Sequence, residues 1–364
     1  MQIRQIKNKV EILLVVCILA LFYLPNLSTV EFHNDESQWI ATSNVFETYI
    51  KLDFGSSLWN RSYWTLTQPP MVRYVIGLSR YLGGYHIPDL NTPWDFNRGV
   101  DFNTRQGAMP SNGLLWWSRL PMAILAIASL SIVFTLLLAA WGRFAGYIWL
   151  GLVAFNPYFL LQLRRAMGES CLLFFTVLGL YAVYKALNSA EENAGQSKRA
   201  VYLWLAVAGI ASGLAGASKL NGLANVLAPI LTACVVALRS KSSAGGKLRS
   251  ALGGGALAGI CCVVVFVAVN PFLWPNPIGR TIQMFQHRVE EMSQQTVTHP
   301  VDYISNWSQR LQVVPGRRSR RRERRDSEDP ARTVQWWRIH RYRHRRGGKK
   351  GSYPGCTAFV SQLR

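Results

Sequence analysis

Charge is scarce in this 364-residue chain, at 16% Asp, Glu, Lys and Arg, where soluble domains carry about a quarter. The hydrophobic share is 49% and falls in long unbroken runs. That excludes a disordered chain and argues against a soluble globular enzyme. Acidic residues are the scarcer sign, 19 against 40 Lys and Arg, which leaves a net charge of +21. Cysteine is sparse as well. Cys17, Cys171, Cys234, Cys261 and Cys262 lie in apolar runs and Cys356 in a basic tail. No disulfide framework is legible, and the apolar five read as small fillers. Also missing are HExxH, paired CxxC, Walker and GxSxG motifs, and any GxGxxG between a strand and a helix. His33, His86, His287 and His299 are scattered, which argues against a histidine metal site.

What is present is a set of membrane-length apolar stretches. A spanning helix needs roughly 17–25 predominantly apolar residues, because lipid offers no partner to unpaired backbone groups. Seven stretches qualify or nearly do: Ile12–Leu27, Leu120–Trp141, Phe144–Leu163, Ser170–Leu187, Val201–Ser218, Leu220–Leu238 and Leu252–Val269. The first ends in bulky Phe22-Tyr23-Leu24-Pro25 with no small-residue cleavage site, so it reads as a retained helix rather than a signal peptide. Arg4, Lys7 and Lys9 precede it, which sets the amino terminus in the cytoplasm. The alternating short loops with Arg143, with Lys185, Lys198 and Arg199, and with Arg239, Lys241, Lys247 and Arg249 agree. Residues 28–118, with eight acids and six basic residues, then form a large outer loop.

Within that loop, Asn34 or Asp35 can cap a helix, and Asp35 and Glu36 in its first turn suit the positive end of the dipole. Trp39, Ile40, Phe46, Tyr49 and Ile50 follow at near-helical spacing, the pattern of an amphipathic helix lying in the interface. This puts Asp35 and Glu36 at headgroup level. A second helix is expected from Gln68-Pro69-Pro70, with Met71, Val75, Leu78 and Leu82 on one face and Gly83-Gly84 ending it. Residues 85–113 read as an irregular polar cap. Simple capping on a wet loop would account for the Asp35-Glu36 pair alone. Arg164, Arg165 and Lys219 would be snorkelling anchors in outer turns. Against that bland account stands Glu169, a third acid at the same level, where charge is costly and usually functional. The cations would then face an anionic ligand.

Taken in order, the basic start, span, Asp-Glu, interfacial helix and QPPMVRYVIG resemble the amino-terminal half of protein O-mannosyltransferases. These belong to the GT-C glycosyltransferase superfamily, with the aminoarabinose transferases of lipid A. SRLPMAI, NPYFLLQLRRAMGES, GLAGASKLNGL and NPFLWPNP extend the resemblance over roughly residues 10–310. It implies an all-α polytopic membrane protein of the cell membrane, with about seven spans and an outer-face active site. The implied reaction moves one sugar from a polyprenyl-phosphate donor to a hydroxyl of a protein or lipid acceptor, with inversion. By position, Asp35 matches the base and Glu36 its orienting neighbour. Glu169 matches a second acidic site that in some relatives helps hold a divalent metal ion. Arg165, Lys219 and Arg73 are candidate cations for the donor phosphate. The chain departs from many relatives in having Gln68 before Pro69-Pro70, where they have His, and Glu169 where Asp is common. It also lacks several further spans.

The expected organisation is a cytoplasmic start and first span over 1–27, the outer loop over 28–118 and six spans over 119–270. An outer loop over 271–314 and a basic tail over 315–364 follow. Sixteen basic and four acidic residues crowd the tail. It reads as a solvated disordered arm, a basic arm for anionic lipid, or sequence read out of frame beyond about residue 314; a nucleic-acid partner is not expected. Rival readings of the whole chain are a transporter or flippase of lipid-linked sugars, and an assembly partner without catalysis. Internal repeats, common in transporters, are lacking.

Overall fold

Apolar backbone in lipid must satisfy its own hydrogen bonds, and the described residues contain helices and no strand. The computed structural model describes residues 2–60, 63–192, 198–240 and 242–298. In chain order the α-helices are α1 (Gln2–Tyr23), α2 (Asn34–Ala41), α3 (Val45–Ile50), α4 (Ser57–Asn60) and α5 (Tyr63–Thr67). Next come α6 (Met71–Leu82), α7 (Val100–Arg105), α8 (Asn112–Ala140), α9 (Gly142–Trp149) and α10 (Pro157–Gln162). The last five are α11 (Gly168–Glu192), α12 (Lys198–Ser218), α13 (Leu227–Arg239), α14 (Ala244–Ala268) and α15 (Pro277–Thr298). The chain divides into two compact units, Met1–Glu290 and Glu291–Arg364. Of the second, only the end of α15 is described, and the expected basic tail lies outside the described residues.

Among the described residues, five helical segments are long and apolar enough to cross a membrane, where the sequence leads us to expect about seven: 112–140, 168–190, 199–218, 220–239 and 244–268. The chain is a multi-spanning α-helical membrane protein. Two expected spans take another form. Phe144–Leu163 is broken: α9 passes into a π-helical turn over Leu150–Ala154, and the chain restarts at Pro157. Pro157 has no N–H to continue the ladder. Asn156, in an extended conformation, caps the new helix by accepting from the Tyr158 amide at 2.9 Å. The first stretch is helical but stops at Tyr23, because Pro25 follows and Asn26 turns left-handed at φ 55°.

The helices of residues 28–118 start close to where the spacing predicts. α2, a 3-10 turn over Thr42–Asn44 and α3 run on as one rod, with Glu36 to Ala41 buried on all sides rather than on one face. Its cap, however, is His33 rather than Asn34 or Asp35. The His33 ring accepts from the Asp35 amide, and the Glu36 carboxylate accepts from the His33 amide, forming a capping box. α6 begins directly after Pro70 and ends at Gly83, with Gly84 at φ 81°. The polar cap of residues 85–113 is mostly irregular, tied by Asn91 and Asn103 side chains to nearby carbonyls.

Among the described residues, four apolar clusters hold the bundle, one of them tying Ala186 of α11 to Val201 and Leu205 of α12 and Ala233 of α13. Another joins Val15, Leu19 and Tyr23 of α1 to Ala126, Leu130 and Phe134 of α8. There the Tyr23 hydroxyl donates to the Ala154 carbonyl at 2.8 Å. A third gathers Ile40 of α2, Ile76 of α6, Met122 of α8, Cys171 of α11 and Ala215 of α12. The fourth packs Leu220, Phe266, Leu273 and Met284 together with Met71. The helices of residues 28–118 are thus packed against the spanning helices.

Candidate active site

Glu36 sits in the first turn of α2 because the His33 capping box starts the helix there. Its carboxylate is fully enclosed and saturated. Arg119 of α8 donates through Nε and Nη2, each at 2.7 Å, and the amides of Ala166 and His33 donate at 2.8 and 3.0 Å. The remaining Arg119 nitrogen donates to the carbonyls of Leu27 and Val30. A fork-to-fork pair in low dielectric holds its geometry tightly. Here it locks three parts together: the start of α2, the end of the first helix–loop junction and the turn before α11.

Asp35 comes next to this lock, with its side chain 45% exposed and 3.7 Å from the His33 ring. Arg165 lies beside Ala166 in the locked turn. It is almost enclosed and donates to the Glu31 carbonyl at 3.1 Å, with the Glu31 carboxylate at 3.9 Å. The bond from Ala166 to Glu36 therefore brings Asp35 and Arg165 each to within one residue of a shared hydrogen bond. Arg164 donates to the Pro25 carbonyl, while its buried Nε meets no hydrogen-bond partner. Desolvation, then the nearby Arg119 charge, lowers the pKa of Arg164.

Lys219, in an extended conformation between α12 and the 3-10 helix Leu220–Val226, points its ammonium at Glu169 in the first turn of α11 at 2.6 Å. Both side chains are about one-third exposed, at 36% and 32%. Glu169 Oε2 is buried without a hydrogen-bond partner. Gly168 makes room for the lysine, since a Cβ there would stand 2.8 Å from Lys219 Cε.

Arg73 is placed differently. It is buried in α6 and donates to the carbonyls of Gln68 at 2.6 Å and Trp64 at 3.4 Å, with Nε unpartnered. Burial lowers its pKa to about 10, against a smaller raising effect of Tyr74. Burial likewise raises the pKa of the Tyr74 hydroxyl. Arg73 thus closes the Gln68-Pro69-Pro70 turn from inside. Among the described residues no three His, Cys, Asp or Glu side chains gather as a metal-binding group. Glu169 Oε1 already faces an ammonium. This donor set does not fit a divalent ion.

Sequence reasoning missed Arg119, the partner that determines what Glu36 does. The signal was present, since an arginine beside a spanning run is costly unless paired. It also missed Glu47 and Arg80, which form a second enclosed bidentate pair at 2.7 and 2.5 Å between α3 and α6. Arg80 Nε further donates to the Ser43 hydroxyl at 2.7 Å. Glu36 and Glu47 stand three helical turns apart, so one face of the α2–α3 rod carries both locks.

No curated protein matches the chain. The family described as dolichyl-phosphate-mannose-protein mannosyltransferase matches residues 37–274, beginning directly after Glu36 and taking in Arg73, Arg119, Arg165, Glu169 and Lys219. With about two-thirds of its length matched, including α6, α8 and the turns on either side of α11, this membrane-spanning chain belongs to the dolichyl-phosphate-mannose-protein mannosyltransferase family.

Proposed function

We propose that the chain transfers mannose, with inversion, from a polyprenyl-phosphate donor to a protein hydroxyl on the outer face of the membrane, with Asp35 as the base. The observation that carries this reading is the division of labour between adjacent carboxylates. Glu36 is fully enclosed by Arg119, Ala166 and His33, whereas the side chain of Asp35 is 45% exposed at the start of the same helix.

The acceptor oxygen attacks the anomeric carbon from the face opposite the phosphate. The bond from that carbon to the phosphate oxygen breaks, and the electron pair leaves with polyprenyl phosphate. Asp35 takes the hydroxyl proton as the new bond forms. A phosphate leaving group is a weak base and needs positive charge rather than a general acid. Lys219 and Arg165 are the cations offered for it, and preorganised charge of this kind lowers the barrier without reorganisation. Glu169 holds the Lys219 ammonium, and Arg73 shapes the Gln68 turn. Glu36 is a positioning residue.

The test uses membranes carrying the full chain, labelled polyprenyl-phosphate mannose and an acceptor peptide. Asp35→Asn is expected to abolish transfer while donor binding and thermal unfolding stay unchanged. Full transfer by that variant overturns the base assignment.

A further inference from the structure

α14 is a membrane-spanning helix, and the chain does not move away from its end. Trp274 folds back so that its indole Nε1 donates to the Val267 carbonyl in the last turn of α14, at 2.9 Å. Arg280 Nη1 donates to the Phe272 carbonyl at 2.6 Å. α15 begins at Pro277, and by Met284 seven residues of helix span about 10 Å. Met284 Sδ is nevertheless 3.8 Å from Asn270 Nδ2, two residues past the end of α14, and its side chain is buried. α15 therefore lies across the end of α14 rather than rising from it.

The face of α15 opposite Met284 is apolar and exposed. Ile278, Ile282, Phe285 and Val289 recur at intervals of four, three and four residues, and are 77%, 52%, 42% and 61% exposed. That spacing keeps them on one stripe. Polar Gln283, Gln286 and Glu290 flank it on one side. We infer that α15 is a membrane-surface helix whose Ile278–Ile282–Phe285 stripe is covered by lipid at the headgroup boundary. Lipid is the occupant that the position itself supplies: the helix crosses the end of a spanning helix, and Trp274 stands at the junction in the way interfacial tryptophans do. α15 also packs through Met284 into the cluster holding Leu220 and Met71, neighbours of Lys219 and of the Gln68-Pro69-Pro70 turn. A lipid-seated α15 would then fix the height of that edge of the site above the bilayer. The inference does not depend on the role of Asp35.

The test places a nitroxide at single cysteines in the full chain, with the native cysteines changed to alanine, reconstituted in phosphatidylcholine vesicles. Ile282→Cys and Phe285→Cys are expected to collide more often with oxygen than with a water-soluble nickel chelate. Gln283→Cys and Glu290→Cys should show the reverse order. Nickel-dominated collisions at all four positions would overturn the inference. So would spin–spin broadening at Ile282→Cys and Phe285→Cys that disappears on dilution with unlabelled protein, since that would mean a second copy covers the stripe.

Discussion

Arg119 and Glu36 are 83 residues apart in sequence and meet through two hydrogen bonds of 2.7 Å, with neither side chain exposed. This contact converts a capping motif in the loop of residues 28–118 into part of the bundle. Removing one partner of such a pair strands a buried charge, at a cost of about 3–5 kcal/mol. Arg119→Met and Glu36→Leu are each expected to lower the thermal unfolding midpoint in detergent sharply. The double variant should lose less than the sum of the two. Additive losses would show that the residues do not act as a pair.

Lys219 and Glu169 are both part-exposed, so their contact is worth little to folding. Lys219→Met is expected to leave the unfolding midpoint nearly unchanged and to weaken donor use. Gly168→Ala should have the same sense and a smaller size, because its Cβ crowds Lys219 Cε at 2.8 Å. Steady-state transfer kinetics against donor concentration check both. Wild-type kinetics in Lys219→Met would remove it from the phosphate site.

Gly209 and Gly213 of α12 lie against the backbone of α14. A Cβ at Gly209 would stand 2.3 Å from the Ala258 carbonyl oxygen, and one at Gly213 2.5 Å from that of Cys262. Overpacking of this kind costs about 1–3 kcal/mol, more than the helix propensity an alanine returns. Gly209→Ala is therefore expected to destabilise. Gly259→Ala on the same α14, with nothing within 4 Å, should be neutral or stabilising by up to ~1 kcal/mol. Paired unfolding curves of the two variants decide it.

Arg80 makes four hydrogen bonds, two to Glu47 and one each to Ser43 and the Tyr85 carbonyl. Lysine has no planar fork and cannot reach all of them. Arg80→Lys is expected to cost about 1–3 kcal/mol, read as a lower unfolding midpoint. A proteolysis assay should show earlier cleavage in residues 28–118. An unchanged midpoint would mean that the α2–α3 rod is held by its apolar face alone.

Much of the architecture could be read without coordinates. Hydropathy located five membrane-length helices because each apolar run carries its own reason to be helical. A helix start near Asn34 followed from capping chemistry, while the one expected at Gln68-Pro69-Pro70 falls just after the prolines, at Met71. Other features depended on neighbours far along the chain. His33 displaced Asn34 and Asp35 as the cap only because Glu36 turned back to its amide. Pro157 broke a run whose average hydropathy concealed the break. Arg73 looked like a phosphate ligand by residue type, yet it faces the carbonyls of its own loop.

Sequence alone determined that this chain lives in a membrane, that its elements are helices, and that acids and cations cluster near helix ends. Those properties arise from local composition and from the cost of unpaired backbone in lipid. Tertiary structure decided that Glu36 is enclosed by Arg119 while the side chain of adjacent Asp35 is 45% exposed. Burial and pairing are properties of what arrives from elsewhere in the chain, and nothing within the Asp35-Glu36 dipeptide specifies that Arg119 will be there.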